Sequence, residues 1–267
     1  MSGLVLSMQA LSEMLRMPWR RPETLCIAAW IVSMISLPIL RWTWGDGVVP
    51  GLTTVSAIFQ VGAVSVILWR AWGLSRTLST AALIAILTFS AEWLGSTTGF
   101  PFGAYDYTTT LQPQAFGVPL LIPLAWLMML GPSWAVAQAI LGGKIDSLGR
   151  RLAFIGLSAL AMTAWDLYLD PQMVTWGFWV WREPSGYFGI PWSNYAGWLL
   201  VSALVTIAAR PMRLPITPLL VIYGVVWAFQ AVGLAVFWGQ VGPALFGFSA
   251  MGALLYAALR ETPWRWR

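Results

Sequence analysis

Thr77-Leu78-Ser79-Thr80-Ala81-Ala82-Leu83-Ile84-Ala85-Ile86-Leu87-Thr88-Phe89-Ser90-Ala91-Glu92-Trp93-Leu94-Gly95 follows Arg76 and holds one charged residue, Glu92. As an α-helix these residues span about 28 Å, close to the roughly 30 Å of a bilayer's hydrocarbon. Ionisable groups in such stretches are rare because hydrocarbon solvates charge badly, so each is a functional candidate by default. Asp166, in the apolar stretch 152–169, is a second one. The chain has no histidine, so any proton chemistry falls to carboxylates, helped by tyrosine or water.

The rest of the chain has the same character. Of 267 residues, 58% are hydrophobic and 9% charged, and the mean hydropathy is +0.72. The fold class expected is all-α: a polytopic membrane protein with eight spans at about 24–40, 52–69, 77–95, 117–141, 152–169, 192–209, 214–239 and 243–259. One integral-membrane domain then covers 1–267, with a cytoplasmic segment 1–23, a bundle 24–259 and a cytoplasmic tail 260–267. Arg16, Arg20, Arg21, Arg70, Arg76, Lys144, Arg150, Arg151, Arg210, Arg213, Arg260, Arg265 and Arg267 fall on one side of these spans, and only Arg41 and Arg182 on the other. That asymmetry puts both termini in the cytoplasm and requires an even number of spans. It also explains the net charge of +5 by membrane topology, so no nucleic-acid partner is expected. Leu4, Met8, Leu11 and Leu15 form one helical stripe that would lie along the inner surface. No charged n-region precedes an h-region and cleavage site, so no removable signal peptide is expected. The lone Cys26 excludes an internal disulfide.

A short pattern occurs twice. Phe116-Gly117-Val118-Pro119 reaches Trp126 at the spacing by which Phe188-Gly189-Ile190-Pro191 reaches Trp198. Glu92 precedes the first proline by 27 residues and Asp166 the second by 25. Spans 3–4 and 5–6 therefore read as a parallel tandem repeat of acidic helix, aromatic outer loop, Gly-Pro turn and return helix. Glu92 lies 16 residues beyond Arg76 and Asp166 15 beyond Arg151, which places both about 23 Å from the inner flank. Asp170 follows one helical turn later on the face of Asp166, and Asp106, Arg182, Glu183 and Asn194 fall in or beside the outer loops. The expectation is one polar pocket under the outer face, shared by Glu92 and Asp166.

The chemistry that fits is narrow. Without histidine there is no histidine-box di-iron centre. No G-x-G-x-x-G follows a strand, and the one lysine, Lys144, sits in an inner loop. Asp166-x3-Asp170 superficially resembles a magnesium–diphosphate motif, but it faces the wrong side for cytoplasmic diphosphates and lacks a basic cluster. What remains is acid-initiated, redox-neutral chemistry on a lipophilic molecule, with neither cofactor nor metal. A carboxyl in apolar surroundings tends to keep its proton and can act as a general acid, and aromatic faces stabilise a nearby cation. Structural roles compete at each position. Glu92 and Asp166 could be packing groups bonded across the bundle, and Asp170 could end a helix before Pro171. Asp106 could be a turn residue, Arg182-Glu183 a local interfacial ion pair, and Asn194 a helix cap.

The run Glu92-Trp93-Leu94-Gly95 through Gly99-Phe100-Pro101-Phe102-Gly103-Ala104-Tyr105-Asp106-Tyr107, with Gly117-Val118-Pro119, resembles the CruF-type carotenoid biosynthesis proteins. So does Asp166 with Asp170-Pro171, followed by Trp179-Val180-Trp181 and Tyr187 through Trp198. That family contains γ-carotene 1′-hydroxylating enzymes and bisanhydrobacterioruberin hydratases. The resemblance covers about residues 75–205 and implies addition of water to the terminal C1′=C2′ bond of an acyclic carotenoid end group. Glu92 and Asp166 would then supply acid and base. Asp170, Asn194, Tyr105 and Tyr107 would position water, and Trp165, Trp181 and Tyr187 would wall the end group. Asp106 and Arg182 complete the candidate set. Expected partners are the carotenoid, membrane lipid and other carotenoid-pathway enzymes such as a glycosyltransferase, in a bacterial or archaeal cell membrane. Two other readings stay open: acid-initiated end-group cyclisation, and a non-enzymatic carotenoid- or lipid-binding subunit.

Overall fold

The computed structural model describes residues 22–261. The stripe Leu4, Met8, Leu11 and Leu15, together with Arg16, Arg20, Arg21, Arg265 and Arg267, lies outside the described residues. Within them eight helices are long and apolar enough to cross a membrane. They are α1 (Pro22–Trp44), α2 (Val49–Trp72), α3 (Leu74–Thr98), α4 (Leu121–Ile140), α5 (Leu148–Thr175), α6 (Trp192–Ala209), α7 (Ile216–Val232) and α8 (Val241–Glu261). A 3₁₀ turn at Asp46–Val48 leads into α2, and one π-turn, Gly233–Phe237, extends α7.

The protein is thus an all-α polytopic membrane protein, as expected, with most helix ends within a few residues of the expected spans. At α4 the start shifts. Residues 114–119 form a two-stranded hairpin, β2 (Gln114–Ala115) with β3 (Val118–Pro119), so the helix begins at Leu121 and not near 117. At α5 the helix runs through Pro171 to Thr175 and does not end at Asp170. Proline lacks the N–H that would bond the carbonyl four residues earlier. Here the Tyr187 hydroxyl donates to that carbonyl, on Leu167, at 3.1 Å.

Helix α4 is the central post, packed by α2, α3, α5, α7 and α8, with Trp126, Met129, Leu130 and Trp134 fully buried. Charge separates to the two ends of the bundle. Arg70 pairs with Glu23 at 2.6 Å, Arg76 donates to the Arg210 carbonyl at 3.3 Å, and Trp72 to that of Arg213 at 3.3 Å. These contacts join the start of α1 to the α2–α3 and α6–α7 turns. At the other end Arg41 pairs with Asp46 and lies 4.7 Å over the Trp238 ring.

The repeat is visible in the backbone. Phe116 and Gly117 have φ of +50° and +80°; Phe188 and Gly189 have +49° and +89°. Ala115 bridges to Val118, and its counterpart Tyr187 bridges to Ile190. Segments β1 (Tyr105–Tyr107) and β4 (Trp179–Trp181) occupy equivalent places after α3 and α5, and they pair antiparallel: Tyr105 with Trp181, Asp106 with Val180, Tyr107 with Trp179. An antiparallel ladder between equivalent segments maps onto itself under a two-fold rotation through its centre. Helices α3 and α5 both lead into the ladder, the arrangement that a parallel repeat would give. The equivalent Trp126 and Trp198 stack with ring centroids 4.3 Å apart and an interplanar angle of 14°.

Candidate active site

The site is roofed by that ladder. Side chains alternate across a strand, so Tyr105, Tyr107, Trp179 and Trp181 turn towards the bundle, while Asp106 and Val180 turn out. The inward rings form a continuous aromatic ceiling. Tyr105 lies 5.1 Å from Trp181, Tyr107 6.0 Å from Trp179, and the two tyrosines 5.3 Å from each other. On the outer surface Arg182 forks onto Asp106, Nε to Oδ2 at 2.8 Å and Nη2 to Oδ1 at 2.7 Å. The Arg182 hydrogen bonds hold the Asp106 carboxyl below its ordinary range. This pair joins residues 76 apart in sequence. It clamps the two loops together from outside and lines neither the acid cavity nor the larger groove described below, and Arg182 pairs across the loops with Asp106 and not locally with Glu183.

Beneath the ceiling lie three buried carboxyls. Glu92 of α3 accepts hydrogen bonds from three side chains: Tyr105 and Tyr107 hydroxyls onto Oε2, both at 2.7 Å, and Trp126 Nε1 onto Oε1 at 3.0 Å. Asp170 of α5 accepts at Oδ1 from Trp179 Nε1 at 2.7 Å and Trp181 Nε1 at 3.3 Å. Asn194, in the first turn of α6, donates through Nδ2 to Asp170 Oδ2 at 2.6 Å and Asp166 Oδ2 at 2.8 Å. It caps no helix: α6 has no side-chain cap, and Asn194 is 2% exposed. Asp166 Oδ1 and the nearby Tyr195 hydroxyl are buried without a hydrogen-bond partner. No arginine or lysine among the described residues pairs with any of the three acids.

Glu92 and Asp170 share a cavity of about 30 Å³ with Tyr105, Tyr107, Trp126, Trp179, Trp181, Asn194 and Trp198. A cavity needs about 10–15 Å³ of such space to hold a water, so there is room for at least one. Asp166 is not on its wall. Offset from the basic flank put Asp166 level with Glu92, but it is Asp170, one turn further along the same face of α5, that lines the cavity, and Asn194 links it to Asp166. Of the residues expected to wall an end group, only Trp181 lines this cavity. Trp165 lines a larger apolar groove next to it. Tyr187 lines neither; it packs edge-on against Phe188 and Tyr195 and supports the Pro171 turn. Sequence reasoning did not assign roles to Trp126, Trp179 and Trp198. The signal for two of them was present, since Trp126 and Trp198 are the tryptophans that end the repeated pattern.

The carotenoid biosynthesis protein family model matches residues 52–254, most of the chain and all of this site. The chain belongs to that family. Among curated relatives of the carotenoid biosynthesis protein family, the bisanhydrobacterioruberin hydratase of Haloarcula japonica is 35% identical over 130 residues. That match takes in 47% of this chain and 43% of the relative, so the chain spans less than half of the relative's length. No solved structure matches this member of the family.

Proposed function

We propose that the chain is a carotenoid hydratase, adding water across the terminal C1′=C2′ bond of an acyclic carotenoid end group. The observation that carries this reading is the cavity with room for water, carboxyls on two sides and tryptophan and tyrosine faces on the others. One of Glu92 and Asp170 protonates C2′: the π electrons form the new C–H bond and leave a tertiary cation at C1′. Water in the cavity attacks C1′, and the other carboxyl takes the proton that water loses, giving a tertiary alcohol. No electrons are exchanged with a cofactor. The rings of Trp181, Trp198 and Tyr105 face the developing charge, as cation–π stabilisation requires. Asp166 and Asn194 hold Asp170 in place and do not touch the reacting carbons. The family, and a relative named as a hydratase, support the same reaction class. The partners proposed are the carotenoid, membrane lipid and other carotenoid-pathway enzymes such as a glycosyltransferase, in a bacterial or archaeal cell membrane.

The test is expression in a host that accumulates lycopene or γ-carotene, with product mass measured per quantified folded protein. A gain of one water is expected, with one deuterium on the carbon beside the new carbinol when the solvent is D₂O. Glu92→Gln and Asp170→Asn should each lower product by about 10²–10⁴-fold, the usual contribution of a general acid or base. Asp166→Asn should lower it less. An isomeric product of unchanged mass would point to cyclisation, and an unaltered polyene to a binding role.

A further inference from the structure

A groove of about 620 Å³ runs between α1, α2, α4, α5 and α7, within the roughly 300–1,000 Å³ usual for small-molecule sites. Its walls are apolar and aromatic, apart from a few uncharged polar side chains such as Gln60 and Gln230. Four residues, Ile122, Ala125, Leu169 and Trp179, line both this groove and the acid cavity, so the two spaces adjoin across these side chains, here called the neck. At the other extreme the groove is lined by Ile35 and Ile39 of α1 and Val232 of α7, which are 47%, 48% and 54% exposed. These exposed residues belong to helices long and apolar enough to cross a membrane, so this side of the groove faces lipid.

We propose that this groove binds the acyclic end of a polyene that arrives laterally from the bilayer, with the neck admitting only its terminal carbons to the acids. The inference rests on the hydratase reading for what happens beyond the neck, but not for the binding itself. Three observations select the occupant. The groove's exposed side faces hydrocarbon, so the ligand is a lipid-dissolved molecule. The indole faces of Trp30, Trp165, Trp176 and Trp179 along the groove suit a flat, rigid conjugated chain, which stacks on aromatic surface at little conformational cost. The space past the neck is small, so a bulky ring with its methyl groups is hindered there more than the slimmer acyclic end, whose last double bond is to meet Glu92 and Asp170.

Lycopene, with two acyclic ends, and β-carotene, with two rings, are the probes. Purified protein in lipid nanodiscs is titrated with each, and binding is read as visible circular dichroism induced in the bound polyene, independently of turnover. Lycopene should give a saturable signal and β-carotene one at least ten-fold weaker at equal concentration. Ser56→Trp on α2 and Met34→Trp on α1 fill the groove from separate walls, and each should lower both lycopene binding and product at least ten-fold. Whichever variant keeps the wild-type melting temperature is the one read. Ala125→Trp, at the wall shared with the acid cavity, should abolish product while lowering lycopene binding less than Ser56→Trp and Met34→Trp do. Wild-type binding without product would remove the hydratase reading and leave the groove assignment standing. Equal signals from the two probes, or undiminished binding in a folded groove-filled variant, would overturn the proposal.

Discussion

Asn194 offers its one amide nitrogen to two acids at once, at 2.6 and 2.8 Å. Two buried carboxyls with no cation among the described residues repel unless a donor or a proton stands between them. An isosteric apolar side chain supplies neither. Asn194→Leu should therefore lower hydrated product by about 10²-fold or more, as expected when the acid–base pair is misplaced. It should also destabilise the fold by about 1–3 kcal/mol, the cost of stranding a buried polar group. Equal activity per folded molecule would show that the bridge is not needed for chemistry. Tyr187→Phe is the contrasting case: it loses only the bond to the carbonyl freed by Pro171, worth about 0.6 kcal/mol on average inside membrane proteins, and should keep activity within a few-fold. These residues were unequally legible. Glu92 stands out as a charge in an apolar run. The choice between Asp166 and Asp170 did not, because the two share a helix face and only the partners supplied by Asn194, Trp179 and Trp181 decide which meets the cavity. The bond made by Tyr187 was not legible either, because its acceptor, the Leu167 carbonyl, is free only through Pro171 four residues further along the helix.

At the scale of elements, the roof is seated by Phe102, a fully buried ring between α3 and α6. A Cβ added at Gly95 would lie 2.7 Å from Phe102 Cδ2 and 2.9 Å from the Tyr105 hydroxyl; one added at Gly197 would lie 2.6 Å from Phe102 Cδ1 and 2.9 Å from the Pro101 carbonyl oxygen. Both glycines are thus places where a loop touches helix backbone. Overpacking of this kind typically costs about 1–3 kcal/mol. Gly95→Ala should displace Tyr105 from Glu92 as well, so product should fall more than the melting temperature suggests. The second-site change Phe102→Leu should restore the melting temperature of Gly95→Ala more than that of Gly197→Ala, where the Pro101 backbone remains in the way, but not the product of Gly95→Ala, since the contact with the Tyr105 hydroxyl stays. Equal rescue at both sites would contradict this packing, and product per folded protein together with thermal unfolding in detergent measures it. The spans themselves were legible because length and hydropathy alone determine a membrane helix. The β1–β4 ladder was not: each strand is three residues long, and its partner lies beyond two helices. Its trace was the alternation in Tyr105-Asp106-Tyr107 and Trp179-Val180-Trp181, which acquires meaning only once the repeat places them side by side.

For the whole molecule, the repeat and the charge distribution make one joint demand. The two-fold relation requires both acidic helices to end on one face of the membrane, and the described basic residues Arg70, Arg76, Lys144, Arg150, Arg151, Arg210, Arg213 and Arg260 gather in loops and ends on the other. Short-loop arginine and lysine orient helical membrane proteins with their basic side inward. The roof over Glu92 and Asp170 should therefore face outward and both termini the cytoplasm. Cys26 is the sole cysteine, so a Cys26→Ala background allows single-cysteine mapping. In that background Lys144→Cys, in the α4–α5 turn, should react with a membrane-impermeant maleimide only after cells are opened. Glu183→Cys, exposed beside the roof, should react in intact cells. If the pattern is reversed, charge does not set the orientation here, and the acids draw their water and protons from the cytoplasm. If both cysteines react from the same side, the even span number fails, and with it the parallel direction of α3 and α5 on which the shared site depends.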